Sequence, residues 1–177
     1  GGSAIGAFDV RDVTVERCDI RWIGGGTRYV PPTDPICTLG SCVRWGNGVE
    51  LWMGATIRSI QFDQIYDSAL TNQGFHGGFN QSNITWRGNT VSRSNFCFEI
   101  WDSSPRNESV MEHVRFLNNS CADSGGGWSH AVRPDKLCTH LRFGHTSATV
   151  ANISVFGNTF TQSVPFGAAW SVFDAPW

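Results

Sequence analysis

Short stretches in which apolar and polar positions alternate dominate the chain and predict β-strands. Five of them open with two apolar residues that one residue separates: VTVERCDI from Val13, IQFDQIYD from Ile60, ITWRGNTV from Ile84, VRFLNNSC from Val114 and ISVFGNTF from Ile153. Such alternation is typical of a strand with one buried face. No segment shows the sustained period of about 3.6 residues that a helix requires. The pattern predicts an all-β protein.

An asparagine recurs after the first strand of most repeats. Five positions after the first apolar residue come Cys18, Asn89, Asn119 and Asn158, and Ile65 is the exception. Asparagine tolerates left-handed turns, and its amide can hydrogen-bond to the same amide in the next layer. The recurrence predicts a ladder of stacked turns.

A second set of strands follows the first: GVELWM, SALTNQ, CFEIWD, GWSHAV and AAWSVF. The starts of the first set lie 47, 24, 30 and 39 residues apart, so the interval of 24 is taken as the basic turn. The excess falls in loops rich in glycine, proline and polar residues. Short strands with insertions at fixed corners predict a solenoid, and a β-sandwich is the alternative.

The repeats NITWRGNTV, FLNNSC and NISVFGNTF, with GNGVELW, IYDSALTNQG, FCFEIWD and GGGWSHAVRPDK, resemble right-handed parallel β-helix proteins of the pectate-lyase-like superfamily. The resemblance covers nearly the whole chain. It implies an all-β, single-stranded right-handed parallel β-helix (solenoid) of about five to six coils, as one domain over residues 1–177. Repeat-like sequence reaches both ends without an amphipathic helix to cap the stack, which predicts that the chain is a segment of a longer protein.

The composition of the chain limits the classes of partner that it is expected to bind. Lys and Arg total 13 against 15 Asp and Glu, so the net charge is −2. No basic stripe interleaves with aromatic residues, and nucleic acid is not expected as a partner. No apolar run reaches the roughly 18 residues that a membrane span needs, so no membrane insertion is expected.

Six cysteines without CxxC spacing favour disulfides over zinc. Cys37 and Cys42 are the best single pair, and the other four could be buried thiols. Five N-glycosylation acceptor sequences begin at Asn80, Asn83, Asn107, Asn118 and Asn152. The combination predicts a secreted or extracellular protein.

A pair of carboxylates on the second strand set is the sharpest catalytic pattern. Aligning Leu51, Leu70 and Ile100 as inward residues puts Glu50, Ala69 and Glu99 in one outward column, with Trp52, Thr71 and Trp101 in the next. Glu50 and Glu99 would then lie roughly 10 Å apart, near the separation that inverting glycosidases use. Tryptophans beside them offer flat faces for sugar rings. The alternative is that both glutamates are solvated residues of a sheet face.

The stretch GGGWSHAVRPDK holds further candidates. Its glycines permit a tight corner and the close approach of another backbone. His130 is a candidate general acid or base, and Arg133 could bind a uronate carboxylate. Trp128, His140 and Arg142 would line the same substrate-binding rim. Alternatively, backbone carbonyls satisfy both histidines and Arg133 pairs with Asp135.

The sequence leaves open whether the protein is an enzyme. No metal site and no cofactor is expected, because the histidines lack compact ligand spacing and no Asp-x-Asp cluster is present. The first hypothesis is a secreted protein that binds or processes an extracellular, acidic polysaccharide as a lyase, hydrolase or epimerase would. The other is a non-catalytic structural glycoprotein of a cell surface, wall or filament that contacts copies of itself or other chains.

Overall fold

The computed structural model describes residues 3–7, 10–26, 43–44, 46–51, 54–74, 80–102, 110–128, 130, 138–143, 149–163 and 170–174. Within these ranges the chain forms nineteen strands and is all-β. In chain order they are β1 (Ile5–Ala7), β2 (Val13–Glu16), β3 (Asp19–Ile23), β4 (Gly25–Gly26), β5 (Val43–Arg44), β6 (Val49–Leu51), β7 (Ala55–Arg58), β8 (Gln61–Ile65), β9 (Ser68–Gly74), β10 (Asn80–Arg87), β11 (Thr90–Ser92), β12 (Phe96–Asp102), β13 (Val110–Leu117), β14 (Ser120–Ala122), β15 (Cys138–Phe143), β16 (Thr149–Ala151), β17 (Ser154–Phe156), β18 (Thr159–Thr161) and β19 (Trp170–Asp174).

The strands form three parallel sheets. Sheet A has the order β1-β6-β9-β12-β15-β19, sheet B has β16-β13-β10-β7-β2 with β17 also paired to β13, and sheet C has β18-β14-β11-β8-β3. From β6 onward the chain passes repeatedly from sheet A to sheet B to sheet C, an order consistent with a parallel β-helix. The antiparallel β-sandwich alternative does not fit, because every pair within these sheets is parallel. A short antiparallel pair, β4 with β5, lies outside them.

The register corrects the predicted repeats at one copy. Val13 pairs with Ala55, and Ala55 pairs with Ile84, so the second copy begins at Ala55 and not at Ile60. Ile60 takes the position of the recurrent asparagine, 29 residues before Asn89. The predicted basic interval of 24 residues is therefore wrong. Both segments alternate in the same way, and only hydrogen-bond pairing distinguishes them.

The asparagine ladder is confirmed. Asn119 Oδ1 accepts hydrogen bonds from the backbone N and the Nδ2 of Asn89, each at 2.9 Å. Asn158 Oδ1 accepts the same two from Asn119, at 2.8 and 3.1 Å. The backbone N of Ile60 donates to Asn89 Oδ1 at 3.1 Å. Each turn is thus bonded to the turn of the next layer.

The residue before each ladder position has a positive φ, which makes the corner between sheets B and C a tight turn. The angles are 55° at Arg17, 56° at Ser59, 61° at Gly88, 52° at Asn118 and 68° at Gly157. Glycine and asparagine adopt this left-handed conformation at little cost. Three of the five corners use one of these two residues, which explains the recurrent Gly-Asn and Asn-Asn pairs.

Large apolar side chains from sheets A and B fill the space between the sheets. The rings of Phe98 and Phe116 stack with centroids 4.5 Å apart, and Trp86 meets Phe98 edge to face at 6.1 Å. Trp86 Nε1 donates to Asn72 Oδ1 at 3.0 Å, which satisfies the one polar group of the indole. Asn72 is fully buried and lies in the register row between the apolar residues Leu51 and Ile100.

A disulfide joins Cys97 on β12 to Cys121 on β14, 24 residues further along. It links sheet A to sheet C within one passage of the chain through the three sheets. The interpretation that these two cysteines are buried thiols is therefore wrong. Cys37 and Cys42 lie outside the described residues, and their pairing stays a prediction.

Candidate functional site

Four polar residues form a row across sheet A, here called the sheet A polar row: Glu50, Thr71, Glu99 and Arg142. Each pairs with the next in register. The prediction that Ala69 stands between the two glutamates is wrong, because Thr71 does. The difference is a shift of two residues, which leaves every side chain on its expected face. The predicted two-layer separation of the glutamates is kept, and it corresponds to roughly 10 Å.

The row lies on the outer face of sheet A, because the residues on either side of each glutamate belong to the core. Glu99 is nonetheless only 2% exposed. Ser68 Oγ donates to Glu99 Oε2, and Arg142 Nη1 donates to Glu99 Oε1 at 3.3 Å. The guanidinium of Arg142 also lies 4.7 Å from the centroid of the Phe96 ring. The alternative that Glu99 is a solvated surface residue is therefore wrong, and its buried charge is paired as such charges must be.

Glu50 is 9% exposed and belongs to the same network. Its Oε2 accepts hydrogen bonds from Ser3 Oγ at 2.5 Å and from Asn47 Nδ2 at 3.1 Å. Asn47 Oδ1 accepts from the backbone N of Ser68 at 3.2 Å. Because Ser68 also donates to Glu99, a chain of hydrogen bonds connects the two carboxylates. The network fixes neighbouring layers to one another.

The glycine-rich stretch forms a strap over the corner between sheets C and A. This corner strap, residues 124–128 and His130, runs back over layers that precede it in sequence. The backbone N of Gly125 donates to Ser94 O at 2.7 Å, and that of Trp128 donates to Gln64 Oε1 at 2.6 Å. A Cβ atom on Gly127 would stand 2.2 Å from Arg93 O. The expected close approach of another backbone is confirmed.

His130 anchors the end of the corner strap. It is 1% exposed, and its Nδ1 accepts a hydrogen bond from the backbone N of Gly127 at 3.0 Å. Its Nε2 faces the carbonyl oxygens of Ile65 and Tyr66, at 3.1 and 3.2 Å. A nitrogen between two carbonyls carries the proton, so the ring is a neutral imidazole with both nitrogens engaged by backbone. This is the arrangement of a structural histidine; a catalytic role for His130 stays a prediction.

His140 is buried beside the start of the strap. Ser124 Oγ and His140 Nδ1 are 2.8 Å apart, and the ring packs against Phe160 at 5.4 Å between centroids. Burial lowers the pKa of His140 to about 4, and the negative charge of Asp123 only partly opposes that shift. The imidazole is therefore neutral at physiological pH.

The side chains of three further predicted site residues fall outside what the structure describes. Arg133 and Trp52 lie outside the described residues. Trp101 lies on β12 opposite Gln73, and only its backbone is described.

Two tryptophans form an exposed pair at the same corner. Trp128 is 40% exposed and Trp22 is 61% exposed, and their ring centroids are 6.4 Å apart with an interplanar angle of 71°. The sequence predicts Trp128 at a substrate rim and makes no such prediction for Trp22. The spacing of the apolar residues in β3 could have indicated an exposed Trp22, since β3 buries Ile20 and turns Ile23 inward three residues later. That odd spacing indicates a bend, and Trp22 has a φ of 59°.

Three of the glycosylation acceptors are exposed and have a left-handed backbone conformation. Asn83, Asn118 and Asn152 are exposed, with φ of 59°, 52° and 55°. Asn80 lies on β10 with its side chain not described, and Asn107 is outside the described residues.

Among the residues that the structure describes, no group of three or more His, Cys, Asp or Glu is placed to hold a metal ion. The same residues include no helix that is both long and apolar enough to span a membrane. Comparison of the chain with protein-family models, with curated proteins and with solved structures found no match.

Proposed function

We propose that the protein is a secreted right-handed parallel β-helix of about five to six coils, of the pectate-lyase-like superfamily. The repeated sheet order and the asparagine ladder support the helix. Right-handedness follows from the strong preference for right-handed crossovers between parallel strands. The Cys97–Cys121 disulfide favours an oxidising, extracellular setting.

We propose further that the protein binds a polysaccharide through the Trp22–Trp128 pair. The single observation that carries this proposal is the exposure of two large indole rings in mutual contact at the corner between sheets C and A. Burial of such rings is favourable, and exposed indoles are suited to the apolar faces of sugar rings. Because the rings meet at 71°, they form a corner in which one ring can stack on a sugar and the other can contact its edge.

Binding is favoured over cleavage by the state of the candidate catalytic groups. Glu99 is nearly fully buried and paired with Arg142, and Glu50 accepts two hydrogen bonds. Both nitrogens of His130 are held by backbone groups. An acid or base must reach the reacting bond of the substrate within about 3 Å. Each of these groups would first have to leave its partners.

The test measures binding of the protein to a panel of neutral and acidic polysaccharides by affinity electrophoresis, with product analysis for new reducing or unsaturated ends. Trp128→Ala and Trp22→Ala should each weaken retention about tenfold or more, because each removes one of the two stacking faces. Phe156→Ala is the matched control for the neutral polysaccharides, since Phe156 is 74% exposed but lies on β17 of sheet B. If all three variants are retained as strongly as the unaltered protein, the proposed binding site is wrong. If new chain ends appear, the protein cleaves the polysaccharide and does not only bind it.

The structural glycoprotein remains the second candidate because three acceptor asparagines are exposed. In that case the protein secreted from a glycosylating host should carry glycans at Asn83, Asn118 or Asn152, and it should form chain-to-chain contacts. Mass spectrometry of intact glycopeptides and light scattering test both points. An unmodified monomer would contradict this candidate.

A further inference from the structure

The outer face of sheet B carries a cluster of arginines that the proposed function does not use. Ile57, Trp86 and Phe116 are buried, so strand alternation turns Arg58, Arg87 and Arg115 outward. All three are exposed. They are here called the sheet B arginine face.

The register brings these arginines close together. Arg58 pairs directly with Arg87 in the neighbouring strand, so their Cα atoms are about 4.8 Å apart. Arg115 pairs with Thr85, which places it one layer and two residues from Arg87, or about 8 Å. Like charges directly opposite each other in a sheet are destabilising. Such a local conflict is a recognised mark of a functional surface.

Neighbouring carboxylates neutralise only part of this charge. Glu16 accepts a hydrogen bond from Arg58 Nε at 2.6 Å, and it is also paired with Arg17. Within the part of the chain that the structure describes, Arg87 and Arg115 make no ion pair. In the register, Arg87 has Arg58 on one side and Leu117 on the other. The face therefore presents uncompensated positive charge.

We propose that the sheet B arginine face binds a sulfated polysaccharide. An exposed ion pair contributes little by itself, so a single small anion would bind weakly there. A polymer that contacts several arginines at once gains from multivalency. A sulfate ester has three terminal oxygens, so it can accept two parallel hydrogen bonds from one guanidinium and a third from its neighbour in the next layer. A carboxylate has only two oxygens, so once it forms two parallel bonds with one guanidinium, the neighbouring arginine must share an oxygen that is already bonded.

This surface is distinct from the Trp22–Trp128 pair, which lies at the corner between sheets C and A. Mutations at the two sites should therefore affect binding independently. Trp128→Ala should leave binding at the arginine face unchanged, so failure of the polysaccharide site at the tryptophans would not remove the evidence for this one.

The experiment compares dextran sulfate with unsulfated dextran of the same length by isothermal titration calorimetry at low ionic strength. Dextran sulfate should bind, unsulfated dextran should not bind at this face, and the affinity should fall as salt is raised. The double variant Arg87→Gln/Arg115→Gln should bind dextran sulfate about tenfold more weakly or worse. Arg87→Glu should be weaker still than Arg87→Gln, because a repulsive charge replaces a neutral group.

Arg93→Gln is the matched control. It removes one positive charge from an exposed arginine that is paired with Asp63 near sheet C, away from this face. It should bind dextran sulfate within about twofold of the unaltered protein, since Asp63 already compensates the charge of Arg93 and Arg93 does not belong to sheet B. Thermal unfolding of every variant checks that the fold is retained.

Several results would overturn the proposal. The double variant could bind as the unaltered protein does, or Arg93→Gln could weaken binding equally. Free sulfate at the same sulfate concentration could displace the polymer completely, which would reduce the site to a simple anion contact. Polygalacturonate or duplex DNA could bind as tightly as dextran sulfate at equal charge concentration, which would remove the preference for a sulfated glycan.

Discussion

Replacing Asn119 by alanine should destabilise the protein more than any other single change in the asparagine ladder. Its Oδ1 accepts two hydrogen bonds from Asn89, and its Nδ2 donates to Trp86 O and to Asn158 Oδ1, both at 3.1 Å. Asn119 is 2% exposed, so water cannot replace these bonds. At about 1 kcal/mol for each of four bonds, the free energy of unfolding should fall by about 4 kcal/mol.

Two neighbouring substitutions calibrate this value. Asn118→Ala changes an exposed residue for which the structure shows no side-chain hydrogen bond to the described residues. It should lower the free energy of unfolding by about 1 kcal/mol, because alanine is strained at a φ of 52°. Asn158→Ala removes a ladder residue that is only partly buried, where water replaces part of the lost bonding, and it should cost about 1–2 kcal/mol.

Urea denaturation followed by tryptophan fluorescence measures all three free energies. The expected order of destabilisation is Asn119→Ala, then Asn158→Ala, then Asn118→Ala. A loss at Asn119 no larger than the loss at Asn118 would refute the reasoning, since the ladder would then add nothing beyond turn conformation.

Three further predictions concern the core and the sheet A polar row. Replacing Cys97 and Cys121 by serine should lower the free energy of unfolding by about 3 kcal/mol, because the bond closes a loop of 24 residues; an unchanged urea midpoint after reduction would contradict this. Arg142→Met should cost about 3–5 kcal/mol because it removes the guanidinium that is paired with the buried carboxylate of Glu99, and adding Glu99→Gln should recover most of that loss in the same assay. His140 has a pKa lowered from 6.5 to about 4 in the folded protein, so its contribution to stability should be complete above pH 6.5 and lost as the pH falls towards 4. A His140→Gln variant should lack this part of the pH dependence of the free energy of unfolding. A variant with the same pH profile as the unaltered protein would contradict this role of His140.

The strand pattern and the corners were predictable because they depend on local chemistry. Alternating apolar residues around Ile84 and Val114 indicate strands with one buried face, and the pairs Gly88-Asn89 and Asn118-Asn119 indicate turns with a left-handed residue. Each of these signals lies within a few residues of the element that it predicts.

Register was not predictable in the same way. The segments that begin at Ala55 and Ile60 both alternate correctly, and so do the alignments that put Ala69 or Thr71 between the two glutamates. The second of these choices is a shift of two residues, and a shift by an even number of residues keeps the buried face buried. Only the pairing of each strand with its neighbour distinguishes these choices.

The candidate sites depend on contacts between distant parts of the chain. Trp22 and Trp128 are more than a hundred residues apart, and they meet because the corner strap runs back over three layers. The burial of Glu99 likewise depends on Ser68 and Arg142, which other strands supply. No local pattern around Glu99 or Trp22 reports such partners.

By itself the sequence determined the class of secondary structure, the stacked asparagine turns and the close approach at the corner glycines, because backbone conformation and side-chain periodicity act over short distances. The tertiary structure alone decided which residues share a row, which charges are buried and which aromatic rings are exposed. These properties arise when separate coils stack, since burial and pairing belong to the assembled layers and not to any single strand.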